Sequence, residues 1–349
     1  MTNSNVSLDD KYSIESGRIF VTGVQALARI PMVQRQRDVL EGLNTAGFIS
    51  GYRGSPVGGF DQQLWRAKKF LEQNHIRFQP GLNEDLAASA IWGSQQTNLH
   101  EGGKYDGVFA IWYGKGPGVD RCGDVFKHGN MSGPAKHGGV LLIAGDDHAA
   151  KSSTVPHQSE YAFMDASIPV LNPAGLQDIV DYGILGFAMS RFSGCWVAFK
   201  TTAENMDSSA SIDVSPDRVK ISLPKFDMPE GGLSIRWPDD WIEQEHRLHQ
   251  YKLNAVRAFA RENRIDRIII ESKTPKLGVI TTGKSYLDVR QALEDLGIDE
   301  VKADKLGLRL YKVGMPWPLE PAGIKEFSQV ALFLGSVELV DRAWRPLTP

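Results

Sequence analysis

The segments GVFAIWY (107–113) and GGVLLIAG (138–145) decide the fold class, because they are apolar at almost every position. A strand with one solvent-exposed face alternates apolar and polar residues, whereas a strand buried on both faces does not. FISGY (48–52) and SIPVLNP (167–173) are predicted as further strands, and CWVAFKTTAE (195–204) as a strand that leads into a loop. Together these segments predict a parallel sheet covered on both faces.

Helical patterns separate the predicted strands. Residues 32–47 show the apolar spacing of a helix that stops at Gly47, and residues 175–192 are predicted as another helix. Strand and helix therefore alternate from Gly17 to about Glu204. This alternation is typical of a doubly wound α/β domain.

The chain has 349 residues, which is more than one compact core usually holds. Residues 206–250 are rich in Ser, Asp and Pro and show no sustained period, so they are predicted as a linker with a few short strands. An amphipathic helix over 246–267 is expected to bridge to a second unit. We therefore predict a first domain over 15–205 and a second, smaller α/β domain over 251–349.

Composition restricts the function classes. The net charge is -3, so no basic excess indicates nucleic acid or an anionic membrane as a partner. The longest apolar runs are too short to cross a bilayer, and the N-terminal residues lack the layout of a signal peptide. Cys122 and Cys195 form no CxxC motif, so this chain alone builds no iron–sulfur or zinc site. A cytoplasmic location is expected.

Three polar or glycine-rich loops follow predicted strands, at the edge where open α/β sheets bind ligands. GYRGSPVGGF (51–60) lacks the spacing of a dinucleotide or P-loop motif and could be a simple turn. WYGKGPGVDR (112–121) carries Lys115 and Arg121, which could meet an anion beside backbone N–H groups, or could face solvent. GDDHAAKSSTVPHQS (145–159) is the third loop.

The third loop leaves several chemistries open. Its polar residues could form a metal site or a Ser/His/Asp nucleophile system, as in an α/β-hydrolase, although neither has diagnostic spacing. A polar loop lining a pocket is the remaining interpretation. The residues in question are Asp146, Asp147, His148, Ser152, Ser153 and His157.

The stretch GLNEDLAASA (81–90) is predicted to start a helix. Asn83 is a good N-cap, and Glu84 and Asp85 would be ordinary first-turn acids, favoured by the helix dipole. The small residues that follow predict close packing against another backbone or a partner chain. Because the helix packs so closely, an acid in its first turn could equally be shielded from solvent and directed at a ligand.

In this order, five segments resemble the N-terminal part of the 2-oxoacid:ferredoxin oxidoreductases, and most closely the large fused indolepyruvate ferredoxin oxidoreductases. The segments are GYRGSP, NEDLAASAIWGSQ, KGPGVD, GGVLLIAGDDHAAKSSTVPHQSEYA and IPVLNPAGLQDIVDYG. The resemblance implies a first domain that binds the pyrimidine of thiamine diphosphate and a second domain like the C-terminal domain of transketolase. It also implies oxidative decarboxylation of 2-oxo acids, such as aryl pyruvates, to acyl-coenzyme A.

The resemblance also implies roles for single residues. Glu84 matches the catalytic glutamate that hydrogen-bonds the pyrimidine ring, and no residue is expected to bind metal. The implied cofactor-binding residues are Tyr52, Gly54, Ser55, Pro56, Glu84, Lys115 and Gly116. The implied substrate residues are Arg53, Ser55, Ser153 and His157, although Arg53 replaces the family's Pro and the SSTVPHQS segment departs from its pattern.

Part of the family's machinery has no counterpart in this sequence. Gly123-Asp124 is not followed by Gly, so the Gly-Asp-Gly…Asn pattern that holds diphosphate and Mg²⁺ is missing. We expect this pattern, the iron–sulfur clusters, the coenzyme A site, the ferredoxin-like region and the γ-like region in another polypeptide or a continuation, with ferredoxin as acceptor and a dimeric assembly. Residues 330–349 are interpreted as a truncated or divergent end. The alternative is a non-catalytic binding or assembly subunit, or an inactive fragment, that keeps the fold.

Overall fold

The computed structural model describes residues 7–148, 155–329 and 333–337. Its strands are β1 (Arg18–Thr22), β2 (Ala46–Gly51), β3 (Ile76–Phe78), β4 (Val108–Lys115), β5 (Val140–Asp146), β6 (Val170–Leu171), β7 (Val197–Thr202), β8 (Ser209–Asp213), β9 (Arg267–Ile270), β10 (Leu277–Thr282), β11 (Leu308–Val313) and β12 (Phe333–Val337). The apolar segments that suggested strands therefore form β2, β4, β5, β6 and β7.

The helices fall between these strands. They are α1 (Asp10–Ser13), α2 (Gly23–Leu40), α3 (Phe60–Arg66), α4 (Lys68–Gln73), α5 (Glu84–Ser94), α6 (Gly116–Arg121), α7 (Gly123–Ser132), α8 (Glu160–Asp165), α9 (Leu176–Ser193), α10 (Ala203–Met206), α11 (Trp241–Arg247), α12 (Leu253–Glu262), α13 (Gly283–Asp295), α14 (Glu300–Leu306) and α15 (Pro321–Gln329). A π-helical turn over Leu248–Lys252 joins α11 to α12. No helix in these ranges is long and apolar enough to cross a membrane.

The larger sheet has the order β3-β2-β4-β5-β7-β6, and all of its pairings are parallel. β4 and β5 are buried along nearly their whole length, which explains why their sequences do not alternate. One apolar core forms on the side of α2 and α9, and a second on the side of α5 and α7. The predicted doubly wound α/β architecture is confirmed.

The smaller sheet has the order β12-β10-β11-β9, in which β9 is antiparallel to β11 and the other pairings are parallel. It meets the larger unit through backbone bonds from Asn172 N to Gly314 O (2.9 Å) and from Val170 N to Trp317 O (2.7 Å). Lys312 Nζ on β11 also lies 2.5 Å from Asp178 Oδ2 on α9. The boundaries 15–205, 206–250 and 251–349 stay a prediction, since neither sheet by itself defines where a domain ends.

Two predicted elements differ from the structure. The helix expected over 32–47 is α2, which begins at Gly23 and ends at Leu40, with Pro31 in its interior. Pro31 removes a helical hydrogen bond, but twelve buried residues along α2 favour one continuous buried helix. β1 was not predicted from the sequence; it pairs with the distant β8 in an antiparallel two-stranded sheet.

Candidate cofactor site at the carboxyl edge of the parallel sheet

The predicted ligand loops leave the sheet side by side. β2, β4, β5 and β7 are neighbours, so their carboxyl ends line one edge of the sheet. Gly51, the last residue of β2, pairs with Tyr113 of β4, and Lys115, the last residue of β4, pairs with Gly145 of β5. The ends of neighbouring strands therefore lie within two residues of each other. Open α/β sheets bind ligands at this edge.

Two glycines bring three of the loops into contact. A Cβ atom on Gly54 would lie 2.7 Å from Cδ of Lys115, so the lysine stem rests directly on the first loop. A Cβ atom on Gly145 would lie 2.8 Å from Cδ of Pro56. These approaches leave no room for a side chain, which explains the glycine content of the loops.

Glu84 begins α5 beside this loop cluster. Asn83 caps the helix, with its side-chain oxygen accepting from Leu86 N at 2.9 Å, as predicted. The indole of Trp112 on β4 donates to the backbone oxygen of Glu84 at 3.1 Å and ties the first turn to the sheet. The small residues Ala87 and Ala88 are buried, which lets α5 pack closely onto β2 and β4.

The Glu84 side chain rests on the second loop. A Cβ atom on Gly118 would lie 2.6 Å from Cγ and 2.9 Å from Oε1 of Glu84. Glu84 is only 9% exposed, yet within 7–148, 155–329 and 333–337 its carboxylate forms no hydrogen bond and no ion pair. Its neighbour Asp85 differs, because its carboxylate binds Arg121 at 2.8 Å. Among the described residues, Glu84 is therefore a buried residue whose carboxylate lacks a polar protein partner, unlike Asp85.

Arg121 does not take part in the anion site that the sequence suggested together with Lys115. Its guanidinium is bound to Asp85 and its side chain is 53% exposed. The anion-site interpretation is therefore wrong for Arg121. The Lys115 side chain instead crosses Gly54, within the loop cluster.

Asp146, at the end of β5, anchors the third loop. Its carboxylate accepts from the hydroxyl of Ser159 at 2.5 Å and from Ser159 N at 3.0 Å. His157 Nδ1 lies 3.8 Å from Asp146 Oδ1, while His157 Nε2 lies 2.7 Å from Oδ2 of Asp120 on α6. The Asp146 carboxylate raises the pKa of His157 to about 9, and Asp120 adds to the effect. The imidazole is therefore a cation at neutral pH.

A buried charge cluster lies behind Asp146, and the sequence analysis missed it. Lys200 on β7 pairs with Glu160 on α8, and its Nζ lies 3.7 Å from Asp146 Oδ2. Burial raises the pKa of the Glu160 carboxyl despite the nearby ammonium. The signal was present in the sequence, because Lys200 is a single charge within the apolar run CWVAFKTT at the end of a predicted strand.

The other predicted site residues are distributed around the edge. Tyr52 and Arg53 are exposed, Ser55 is partly buried, and Pro56 is buried after a cis Ser55–Pro56 peptide bond. The predicted substrate residue Ser153, like Ser152, lies outside the described residues. The individual roles assigned to these residues stay predictions.

The alternative chemistries of the 145–159 loop depend partly on residues outside the described ranges. Ser152 and Ser153, the serines of the nucleophile hypothesis, are among them, so that hypothesis stays a prediction. Among the described side chains, Ser159 hydrogen-bonds Asp146 directly and His157 binds Asp120. Across the described ranges, no group of three or more His, Cys, Asp and Glu residues could hold a metal ion.

The fold has a counterpart among solved structures. Among solved structures, the chain is similar to the 2-oxoglutarate:ferredoxin oxidoreductase of Magnetococcus marinus, with a TM-score of 0.65 and 15% identity. The similarity covers 92% of this chain and 57% of that one. At this identity it shows a shared fold, and that fold is the one that the sequence motifs predicted.

The sequence comparisons give more specific relatives than the structural comparison does. The indolepyruvate oxidoreductase domain family matches residues 267–338. The chain is 27% identical over 317 residues to the indolepyruvate oxidoreductase subunit IorA of Pyrococcus horikoshii, and 22% identical over 340 residues to that of Methanothermobacter marburgensis. These matches cover 88% and 95% of this chain, and 43% and 48% of the relatives. The predicted resemblance is confirmed, and the chain spans less than half the length of these curated relatives.

Proposed function

We propose that this chain forms the pyrimidine-binding half of a thiamine diphosphate site in a 2-oxo acid oxidoreductase. The observation that carries the proposal is the Glu84 carboxylate, which is buried at a helix start and rests on Gly118 without a polar partner within the described ranges. The sequence relatives, which are named indolepyruvate oxidoreductase subunits, support the reaction class.

The residues of the site suit the pyrimidine ring of this cofactor. A buried carboxyl group without a partner can hydrogen-bond a ring nitrogen, and such a bond would satisfy a group that is otherwise costly to bury. Bound thiamine diphosphate supplies an electron sink for decarboxylation of a 2-oxo acid. Tyr52, Gly54, Ser55, Pro56, Lys115 and Gly116 are the residues that we propose to line the ring.

Glu84 has two tasks in this proposal. Its carboxyl group holds or releases a proton at the atom that meets the ring nitrogen, which is general acid–base work. The Trp112 indole and the Asn83 cap fix the backbone at Glu84, so the carboxyl group is held in position before the cofactor arrives. Preorganisation of this kind removes the cost of ordering the group during the reaction.

The remaining parts of the reaction lie outside the site described above. We propose that the diphosphate and Mg²⁺ are held by residues outside this sequence, in a dimeric assembly with ferredoxin-like and γ-like regions. Iron–sulfur clusters and coenzyme A would serve there, with ferredoxin as acceptor. The substrate class is 2-oxo acids, with aryl pyruvates such as indolepyruvate as the first to test and with Arg53, Ser55, Ser153 and His157 as proposed contacts.

The test is Glu84→Gln in the chain assembled with its complementary regions. We expect dye reduction that depends on 2-oxo acid to fall by about 100-fold or more, in line with the loss of general acid–base catalysis. Asp124→Asn is the matched control, because it removes the same charge from the first turn of another helix, α7, where the side chain is exposed. Wild-type turnover in Glu84→Gln, or an equal loss in Asp124→Asn, would overturn the role of Glu84.

The chain alone provides a second test. Without the diphosphate-binding half we expect no turnover, and only weak binding of thiamine diphosphate in calorimetric titrations. Robust oxidation of a 2-oxo acid by the isolated chain would refute the half-site proposal. Absence of turnover even in the full assembly would instead favour a non-catalytic assembly subunit.

A further inference from the structure

The imidazole of His157 lies directly on Gly116, the first residue of α6. A Cβ atom on Gly116 would come within 2.1 Å of Cγ and Nδ1 of His157, so only glycine leaves room for the ring. The His157 side chain is 14% exposed. The loop that follows β5 is therefore packed tightly against the start of α6.

Carboxylates from two different elements hold this ring. His157 Nε2 lies 2.7 Å from Asp120 Oδ2 on α6, which is a hydrogen-bond distance. His157 Nδ1 lies 3.8 Å from Asp146 Oδ1 on β5, which is an ion-pair distance. The Asp146 side chain is fully buried, whereas the Asp120 side chain is 59% exposed. A protonated ring attracts both carboxylates and joins α6 to β5, whereas a neutral ring donates one hydrogen bond at most.

The charges around the ring favour its protonated form. Lys200 and Glu160 lie on the far side of Asp146 and pair with each other. The carboxyl groups that meet the ring are those of Asp146 and Asp120, whereas Lys200 and Glu160 contact Asp146 and each other. The elements that meet there also carry Lys115, Asp147 and His148. The pKa of His157 is accordingly raised to about 9, first of all by Asp146.

The same short helix supports Glu84. Gly118 follows Gly116 by two residues, and it is the surface on which the Glu84 side chain rests. A displacement of α6 would therefore change the space available to the Glu84 carboxylate. His157 and Glu84 do not contact each other in this arrangement, but both contact the first turn of α6.

We propose that His157 is a positioning residue for the Glu84 site: its imidazolium ties α6 to the end of β5 and so fixes the support of the Glu84 carboxylate. This role rests on the proposed function and adds to the substrate contact predicted for His157. Loss of the ring proton weakens the tie, so the site is expected to loosen as the pH rises through about 9.

The link that His157 makes between α6 and β5 is tested on the full chain without cofactor. Titration of the histidine ring signals by NMR should show one pKa near 9 that is absent in His157→Gln and moves down in Asp120→Asn. Hydrogen-exchange protection of residues 116–121 should be lower in His157→Gln than in wild type. His128→Gln is the matched control, because His128 is exposed and lies 3.4 Å from Asp124 within one helix.

The consequence for the site is tested in the assembled enzyme. We expect His157→Gln to lower turnover about 10-fold near neutral pH and to remove the fall in activity that wild type shows as the pH rises through about 9. His128→Gln should keep both the wild-type rate and the wild-type pH profile.

The outcomes separate the two proposals. Two results would overturn the proposed link between α6 and β5, regardless of the activity measured in the assembled enzyme. They are a His157 pKa near its ordinary value and unchanged protection of residues 116–121 in His157→Gln. An unchanged pH profile in His157→Gln, with Glu84→Gln inactive, overturns only the positioning role. Wild-type activity in Glu84→Gln overturns the proposed function, and the NMR and exchange results then still decide whether the tie exists.

Discussion

Buried charges occur in two regions of this protein, and their surroundings differ. At the junction of the two sheets, the Lys312 side chain is 2% exposed and binds Asp178 at 2.5 Å. Its ammonium also lies 4.7 Å from the ring centre of Tyr286 and 5.4 Å from that of Tyr182. At the carboxyl edge of the larger sheet, the Glu84 carboxylate is also buried but meets no polar partner among the described residues.

The difference separates structural charges from the one that we propose to face a ligand. A buried ion pair costs desolvation, which its partner largely offsets, so removing one member leaves an uncompensated charge. The Glu84 carboxylate has no polar partner among the described residues, so replacing it by a neutral amide leaves no charge unpaired. The replacement should therefore leave stability intact and affect only the bound state. Four measurements test this distinction between the two regions.

The largest effect is expected at the junction. Lys312→Met leaves Asp178 without its cation, and we expect the free energy of unfolding to fall by about 3 kcal/mol, measured by urea denaturation. Lys284→Met is the control, since its pair with Asp288 is on the surface and should contribute less than about 1 kcal/mol. A change of less than about 1 kcal/mol in Lys312→Met would show that the junction charge is not structural.

The second effect is a pH dependence at the same junction. Burial raises the pKa of Asp266 to about 6, although Gly314 N and Met315 N donate to its Oδ1. A raised carboxyl pKa stabilises the fold below pH 3.8, and this contribution is lost as the pH rises through 6. This pKa shift corresponds to roughly 3 kcal/mol in the free energy of unfolding. The difference in unfolding free energy between wild type and Asp266→Asn should shift by this amount between pH 3.5 and 7, measured by urea denaturation, and a constant difference would contradict it.

The third effect concerns the support of Glu84. Gly118→Ala places a methyl group 2.6 Å from Glu84 Cγ, so the carboxyl group must move. We expect turnover of the assembled enzyme to fall about 10-fold, which is about 1.4 kcal/mol in the barrier. Gly123→Ala is the control, because a Cβ atom there meets nothing within 4 Å. Equal turnover in the two variants would show that Gly118 does not position Glu84.

The smallest effect is the stability of Glu84→Gln itself. Because the carboxylate loses no polar contact of the described chain, we expect the free energy of unfolding to change by less than about 0.5 kcal/mol. Equilibrium denaturation of the isolated chain measures it. A loss of 2 kcal/mol or more would mean that Glu84 is a structural acid, and the comparison between the two regions would fail.

Local physical chemistry allowed much of the architecture to be predicted from the sequence. Strands buried on both faces must be apolar throughout, so β4 and β5 were evident and the parallel sheet followed from them. A helix start needs a cap, so Asn83 and the first turn at Glu84 were also evident. The order of the loops after these strands, together with the resemblance, was enough to single out Glu84.

Tertiary structure decided what depends on contacts between distant residues. The pairing of β1 with β8 joins segments about 190 residues apart, and no local pattern encodes it. The continuous helix through Pro31 reflects its burial, mainly against α9, rather than local propensity. The cluster of Lys200, Glu160 and Asp146 and the seating of His157 on Gly116 exist only because four strand ends meet at one edge. Which charges have partners is therefore a property of the fold, and that property distinguishes Glu84 from the acids around it.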